Sequence, residues 1–252
     1  MAHRIVPGAR HSPVLLHVPH AATAIPAEVR AGLLLDDGEL AAELAAMTDA
    51  HTGEVARAAA DLSPTRPWLF LNTLSRLVID PERFPDDREE MAAVGMGAVY
   101  TRTSDGRPLR TGDHSWLLDR WFEPYARGLA DLVDARLAAV GRVSIVDVHS
   151  YPRERLPYER GGAHRPAVCL GRDADHTPDW LLEAARASFA VVGDTAVNTP
   201  FAGCYVPLRH YRRDERVTGV MVELRRDVAG EPGVPAALAA LIASIEGVAG
   251  GC

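Results

Sequence analysis

The chain has 252 residues, of which 47% are hydrophobic and 24% charged, and its formal net charge is -7. This size and composition are ordinary for a folded globular protein with a sizeable core, and the negative charge does not favour nucleic-acid binding. All 27 basic residues are arginine, because the sequence contains no lysine, and this excludes Schiff-base chemistry on a lysine.

Membrane and disulfide signals are also missing from the sequence. No apolar run, Ala31 to Leu35 included, is long enough to span a bilayer, and residues 1–10 lack the apolar core of a signal peptide. Cys169, Cys204 and Cys252 are far apart and form no CxxC pair, so neither a disulfide framework nor a thiolate zinc site is indicated. We therefore expect a cytoplasmic protein with no membrane or nucleic-acid partner. No sequence signal bears on its oligomeric state.

The first third of the chain alternates apolar strands with helical patterns. A strand from Pro13 to His20 stops at a proline and a histidine, and Pro26 to Arg30 begins with the proline favoured in a first helical turn. Glu39 to Ala60 carries strong helix formers at helical spacing, interrupted at Thr48-Asp49, where a second helix could be capped. Two further strands are predicted from apolar runs: Trp68 to Leu71 and Leu77 to Ile79.

Residues 85–113 have a different character, with a charged start followed by several glycines. Val99 to Arg110 is predicted to form a hairpin around Ser104-Asp105-Gly106. Such an excursion between core elements is typical of surface decoration, but it is also compatible with a lid over a functional site. Both interpretations stay open at this point.

The second half of the chain returns to alternating elements. Ser115 to Leu137 is the clearest amphipathic helix, and Val143 to Val148 is a buried strand that ends at His149-Ser150. A polar loop, Tyr151 to Arg165, follows, and Thr177 or Asp179 is expected to cap a later helix. The remaining predicted elements are Ala167 to Leu170, Asp179 to Ala190, Ala196 to Asn198, Gly203 to Pro207, Val217 to Leu224 and Val234 to Val248.

This alternation predicts an α/β protein. Strands alternating with helices favour a three-layer α/β/α domain whose mixed central sheet is mainly parallel, with some antiparallel pairing from the hairpins. We expect one domain over residues 1–252.

Polar groups follow four of the predicted strands: His20, the stretch Arg76 to Arg83, His149, and Glu223. Chemistry in open α/β sheets occurs beyond the carboxyl ends of strands, so these groups could share one edge. Two histidines and a carboxylate suit a Zn²⁺ ion with one position left for water. The third ligand is open between Asp49, at the helix start, and a helical HxxE pair made by His51 and Glu54.

The charged residues near these strand ends allow two interpretations each. Arg76 and Arg83 could bind a substrate carboxylate in a bidentate manner, or could form structural ion pairs with Asp80 or Glu82. Glu223 follows an apolar strand, where desolvation would raise its pKa to a value useful for general acid or base catalysis. Alternatively, Glu223 could pair with Arg225 or Arg226.

Several segments, in this order and spacing, resemble the N-formylglutamate amidohydrolase (deformylase) family over most of the chain. The matching segments are Val18-Pro19-His20-Ala21, Thr48-Asp49-Ala50-His51, Ser75 to Asp80, Asp147-Val148-His149-Ser150, Asn198 to Gly203 and Val222-Glu223-Leu224. The resemblance implies a fold similar to the zinc carboxypeptidases. It also implies hydrolysis of the non-peptide amide bond of an acylated amino acid, here N-formyl-L-glutamate to formate and L-glutamate, and a place in histidine degradation.

The resemblance also implies roles for individual residues. His20, Asp49 and His149 are expected to hold one Zn²⁺ per chain, and Glu223 corresponds to the catalytic carboxylate. Arg76 would polarise the scissile carbonyl or bind substrate. The remaining substrate-binding residues implied are Arg83, Asn198 and Ser150.

One position departs from the family pattern. Relatives read Asp-Leu-Asn-Arg or Asp-Cys-Asn-Arg where this chain has Asp80-Pro81-Glu82-Arg83, so an asparagine expected to help bind a substrate carboxylate is replaced by glutamate. A glutamate repels an anion, which favours a different N-acyl amino acid or small amide as an alternative substrate.

The sequence also allows two interpretations other than a metal-dependent amidohydrolase. The chain could use the fold as a binding or regulatory protein without catalysis, because fold does not dictate function. It could also be a metal-free hydrolase that uses Ser150 beside His149, although adjacent residues on a strand point to opposite faces.

Overall fold

The computed structural model describes residues 2–159 and 164–248. Within these ranges the strands are β1 (His3–Val6), β2 (Val14–Val18), β3 (Trp68–Asn72), β4 (Val143–Tyr151), β5 (Val168–Gly171), β6 (Thr195–Val197) and β7 (Val217–Arg225). The α-helices are α1 (Ala27–Arg30), α2 (Asp37–Met47), α3 (Thr52–Leu62), α4 (Ser115–Leu117), α5 (Glu123–Val140), α6 (Asp179–Phe189), α7 (Arg226–Ala229) and α8 (Gly233–Gly247). A 3₁₀ helix covers Glu90–Val94, and a π-helical turn, Leu118–Phe122, joins α4 to α5.

These strands form one mixed sheet in the order β1-β3-β2-β4-β7-β5-β6. The neighbouring strands β3, β2, β4 and β7 are parallel, as are β5 and β6, whereas β1 and β5 pair antiparallel with β3 and β7. The predicted mixed, mainly parallel sheet surrounded by helices is therefore confirmed.

Side-chain alternation along the buried strands divides the core between the two faces of the sheet. In β2, Leu16 belongs to the hydrophobic cluster that includes residues of α3, α6 and α8, while its neighbour Leu15 belongs to the cluster that includes residues of α5. The central strands β2 and β4 are buried throughout, because helices cover both faces. This explains why both strands appear in the sequence as nearly continuous apolar runs.

Two local predictions were wrong. The apolar run Leu77 to Ile79 is a buried turn held by the Ser75 side chain and carbonyl rather than a strand, since Leu77 N–H donates to Ser75 Oγ (3.1 Å). Helix α6 follows Pro178 without a side-chain cap, because the Thr177 hydroxyl instead donates to the Gly219 carbonyl at 2.6 Å.

The excursion at residues 85–113 packs into the protein through its own apolar cluster. Met96, Tyr100 and Leu109 are fully or almost fully buried against α2 and the residues that precede it. The predicted hairpin forms a turn at Thr103 to Gly106 with an isolated antiparallel bridge between Arg102 and Pro108, but no longer strand pairing. The excursion thus places the Tyr100 side chain in the interior.

The parallel direction of β2, β4 and β7 brings their carboxyl ends to one edge of the sheet. Strand β5 is antiparallel to β7, so Gly171, at the end of β5, lies beside Met221 and not at this edge. A Cβ on Gly171 would lie 2.0 Å from the Gly203 carbonyl oxygen, so the glycine lets the Gly203 segment pack closely against the sheet. Gly203 also lines a cavity. No helix in the described residues is long and apolar enough to cross a bilayer. Residues 160–163 of the predicted polar loop, and Cys252, lie outside the described ranges.

Candidate active site

The connection between α2 and α3 is tied to the ends of two parallel strands. Asp49 N–H donates to the His20 carbonyl just beyond β2 (3.0 Å), and the Ser150 hydroxyl in β4 donates to the Ala50 carbonyl (2.7 Å). Because β2 and β4 are neighbours, this link holds the Asp49 carboxylate between the two predicted histidines, His20 and His149.

Three donor atoms converge at this point. His149 Nδ1 lies 2.9 Å from Asp49 Oδ2 and 3.3 Å from His20 Nδ1, and the remaining distance, His20 Nδ1 to Asp49 Oδ2, is 3.6 Å. Ligands at zinc bond lengths in tetrahedral geometry lie about 3.3 Å apart. All three side chains are buried, so the donor set and its spacing fit a Zn²⁺-like ion.

Electrostatics favour charged forms of these residues. Burial alone would raise the pKa of Asp49, but hydrogen bonds to His149 and His20 outweigh it and hold the pKa well below the ordinary value. Burial lowers the pKa of His149, but Glu82 and Asp147 together raise it well above its ordinary value. Protons on the imidazoles therefore compete with a metal ion, and metal affinity should increase with pH.

A buried network orients His20 from its other ring nitrogen. His20 Nε2 lies 2.9 Å from Asp80 Oδ1, while Asp80 Oδ2 accepts hydrogen bonds from Arg76 Nη2 (2.7 Å) and Tyr100 OH (2.6 Å). Arg76 Nε also donates to Tyr100 OH at 3.0 Å. A carboxylate on the second ring nitrogen fixes the tautomer of a metal-binding histidine and raises its basicity.

Asp80 and Tyr100 were not predicted as site residues. Asp80 was considered only as an ion-pair partner for arginine, and Tyr100 lies in the excursion that gave no catalytic signal. The sequence does carry one signal for Asp80: its carboxylate lies close to Arg76 and Arg83, which were predicted site residues. The position of Tyr100 depends on packing that the sequence pattern does not reveal.

Replacing Asp80 with asparagine is expected to weaken zinc binding by about 10- to 100-fold, because His20 loses the anionic partner of its Nε2–H. Competition with a chromophoric chelator measures this affinity. The matched control is D61N, which removes an exposed carboxylate paired with Arg66. Equal zinc affinity in D80N and D61N would show that Asp80 does not support the ligand.

Glu223 lies beside His149 in the register of β4 and β7. Its side chain is buried, and its Oε2 accepts no hydrogen bond from the described residues. Burial raises the pKa of Glu223 to about 8, although the nearby His149 opposes the rise. The predicted alternative, an ion pair with Arg225 or Arg226, is not what the structure shows: Arg225 pairs with Asp227, and Arg226 donates to backbone carbonyls of α2.

A cavity of about 700 Å³ opens onto these groups. Arg76 and Arg83 both line it, but their guanidinium groups differ in how firmly they are held. Arg76 makes the two hydrogen bonds described above, whereas Arg83 approaches Asp80 and Glu89 only at 3.6 and 3.9 Å, and its Nε has no hydrogen-bond partner among the described residues. Arg83 therefore has more hydrogen-bonding capacity left for a ligand.

Two predicted substrate-binding residues have structural partners instead. The Asn198 side chain is bonded to the backbone of Arg172 and Gly203, is exposed, and does not line the cavity. Ser150 borders the cavity, but its hydroxyl proton is donated to the Ala50 carbonyl. In the structure Asn198 fixes the segment before Gly203, and Ser150 fixes the link that carries Asp49; substrate binding by either residue stays a prediction.

The alternative HxxE pair lies elsewhere on the molecule. His51 Nδ1 is 3.5 Å from Glu54 Oε2, and both side chains are substantially exposed. They border a separate, smaller pocket and are not grouped with His20 or His149. Asp49, rather than this pair, is the carboxylate brought to the two imidazoles.

Known proteins support the same assignment of fold and family. The family profile of N-formylglutamate amidohydrolase matches residues 12–229. The structure is similar to that of an N-formylglutamate amidohydrolase from Ralstonia eutropha JMP134, with a TM-score of 0.76, 19% identity, and coverage of 99% of this chain and 97% of the other. A gene product of Agrobacterium tumefaciens gives a TM-score of 0.72 at 20% identity, covering 98% and 96% of the two chains. No curated protein matches in sequence. The chain belongs to the N-formylglutamate amidohydrolase family.

Proposed function

We propose that this protein is a metal-dependent amidohydrolase that removes the acyl group from an N-acylated amino acid, with N-formyl-L-glutamate as the first candidate substrate. The observation that carries the proposal is the convergence of His20 Nδ1, Asp49 Oδ2 and His149 Nδ1 next to the buried Glu223. Family membership supports amide hydrolysis as the reaction class.

These three residues would hold a Zn²⁺ ion. Such an ion polarises the amide carbonyl and makes water a better nucleophile near neutral pH. Glu223 would take a proton from the attacking water and deliver it to the leaving nitrogen, a role that suits an unpaired carboxylate with a raised pKa. Arg76 Nη1 would donate a hydrogen bond to the developing oxyanion.

Arg83 would bind the α- or side-chain carboxylate of the amino acid, because its guanidinium borders the cavity and is less engaged than that of Arg76. The neighbouring Glu82 directs its carboxylate to the histidines, with Oε2 3.3 Å from His149 Nε2. Its negative charge is thus partly offset by these groups rather than aimed only at the substrate.

The cavity supports a second candidate substrate class. A volume of about 700 Å³ suits ligands larger than N-formylglutamate, so an amino acid with a longer acyl group is the alternative. Both candidates use the same metal and the same Glu223.

A panel of N-acyl amino acids tests the proposal. Zinc-loaded protein is expected to release free amine from at least one acidic member, to lose this activity after chelation, and to recover it when zinc is added back. The panel pairs N-formyl with longer N-acyl derivatives of glutamate and aspartate. Its controls are N-acyl leucine, whose side chain is uncharged, and N-acyl leucinamide, which has no carboxylate. Full activity after complete removal of metal, or no amine release from any compound, would contradict the proposal.

The pH profile of the zinc-saturated enzyme provides a further prediction. Glu223 acts as a base only when deprotonated, so kcat/KM should increase as pH rises through its pKa. Because burial raises that pKa, the acidic limb should lie above pH 4.5, the ordinary value for glutamate. A profile flat from pH 4 to pH 8 would be inconsistent with this role.

A further inference from the structure

A second group of donor atoms lies on the other side of the His149 ring. We call it the His17 cluster: His17, Glu82, Asp147 and the Nε2 atom of His149. His17 belongs to β2, and Asp147 lies beside it in β4, so two neighbouring parallel strands fix this pair. Glu82 reaches them from the turn that follows β3.

The distances within the His17 cluster form a closed ring. His17 Nδ1 is 2.9 Å from Asp147 Oδ1 and 3.4 Å from Glu82 Oε1. His149 Nε2 is 3.1 Å from Asp147 Oδ1 and 3.3 Å from Glu82 Oε2. Within this ring, His17, Asp147 and Glu82 each offer one ligand atom within 4.8 Å of the other two, a spacing that allows all three to bind one divalent ion.

Two atoms of the ring have unmet bonding capacity. His149 is only 4% exposed, and its Nε2 lies 3.1 Å from Asp147 Oδ1 without being aligned for a hydrogen bond. The buried Glu82 Oε1 has no hydrogen-bond partner within the described residues. Buried polar atoms are rarely left without partners. A cation held by His17, Asp147 and Glu82 would satisfy Glu82 Oε1 and offset the local negative charge.

The outer atoms of the cluster are supported as metal ligands usually are. His17 Nε2 lies 2.6 Å from Tyr125 OH, and Asp147 Oδ2 accepts the Tyr205 backbone N–H at 3.3 Å. These partners fix the orientation of the imidazole and the carboxylate. Glu82, Asp147 and His149 also line the cavity, so an ion can reach the cluster from solvent.

We propose that a second divalent cation of zinc-like chemistry binds to His17 Nδ1, Asp147 and Glu82. This ion would lie on the Nε2 side of the His149 ring, whereas the ion of the proposed function would lie on the Nδ1 side. Binding at His17 Nδ1 replaces the proton on that nitrogen, which is released to solvent. The second site shares no ligand with the proposed metal centre, so it does not depend on the proposed function.

Zinc stoichiometry tests the second site. Wild type, E82Q, D49N and the double variant are equilibrated with excess Zn²⁺, desalted, and analysed by elemental mass spectrometry. We expect about two ions per chain in wild type, about one in each single variant, and none in the double variant. E82Q is the primary variant because Glu82 lies at the cavity wall, and H51A, which removes an exposed histidine, is the control for adventitious surface binding.

The outcomes separate this proposal from the proposed function. One ion in wild type that is kept in E82Q and lost in D49N overturns the second site and leaves the proposed metal centre intact. One ion that is lost in E82Q and kept in D49N supports the second site and contradicts the proposed metal ligands. Two ions in both wild type and E82Q overturn the assignment to the His17 cluster. If E82Q fails to fold, H17Q is measured in its place, because His17 is the proposed ligand in β2.

Discussion

Replacing Glu223 with glutamine is expected to lower kcat by about 10²- to 10⁴-fold while leaving the zinc content close to that of wild type. Glutamine keeps the shape of the side chain but cannot accept and release a proton. Glu223 is buried next to His149, and its Oε2 has no hydrogen-bond partner among the described residues, so little structure depends on its charge. The E223Q variant should therefore lose most of its turnover and keep its bound metal.

The measurement combines steady-state kinetics on the best N-acyl amino acid with elemental analysis of the same sample. E183Q is the matched control, since Glu183 is an exposed residue of α6 that does not line the cavity. If E223Q retained near wild-type kcat, Glu223 would not be the proton carrier. If it lost its metal together with its activity, a structural role in the metal centre would explain the result.

Much of the fold follows from local sequence patterns. Continuous apolar runs predict β2, β4 and β7, because a strand covered on both faces buries every side chain. Apolar residues at helical spacing predict α5, because a helix buries only one face. The run Leu77 to Ile79 misled the prediction, since a buried turn and a short strand both need consecutive apolar residues. Tertiary packing, rather than local preference, decides between them.

The candidate site was predictable where chemistry follows a strand end. His20, His149 and Glu223 each stand at the carboxyl end of a strand, so parallel pairing was enough to bring them together. Asp49 needed the additional backbone hydrogen bond to His20, which no pattern reveals. The sequence did not reveal that Asn198 and Ser150 support the backbone, because a polar residue near a site can either bind substrate or hold the chain, and only the hydrogen-bond partners show the second role.

Arg76 is held by structural partners and is also proposed to act on the substrate. Its replacement with lysine is expected to lower kcat by about 10²- to 10³-fold, with a smaller effect on KM. The Asp80 and Tyr100 side chains hold two of its three guanidinium nitrogens, and the third, Nη1, lies 3.6 Å from Asp49 Oδ1. A lysine ammonium is a single point charge, so it cannot keep both supporting bonds and also reach a carbonyl oxygen beside the metal ligands.

Kinetics with N-acyl glutamate, N-acyl leucine and N-acyl leucinamide measure this effect and separate Arg76 from Arg83. R83K should mainly raise KM, and only for the substrates that carry the α- or side-chain carboxylate that Arg83 is proposed to bind. R209K is the control, since Arg209 pairs with exposed carboxylates of α5. An R76K enzyme with the kcat of R209K would assign the oxyanion to another donor. A KM effect equal to that of R83K would make Arg76 a second carboxylate-binding residue instead.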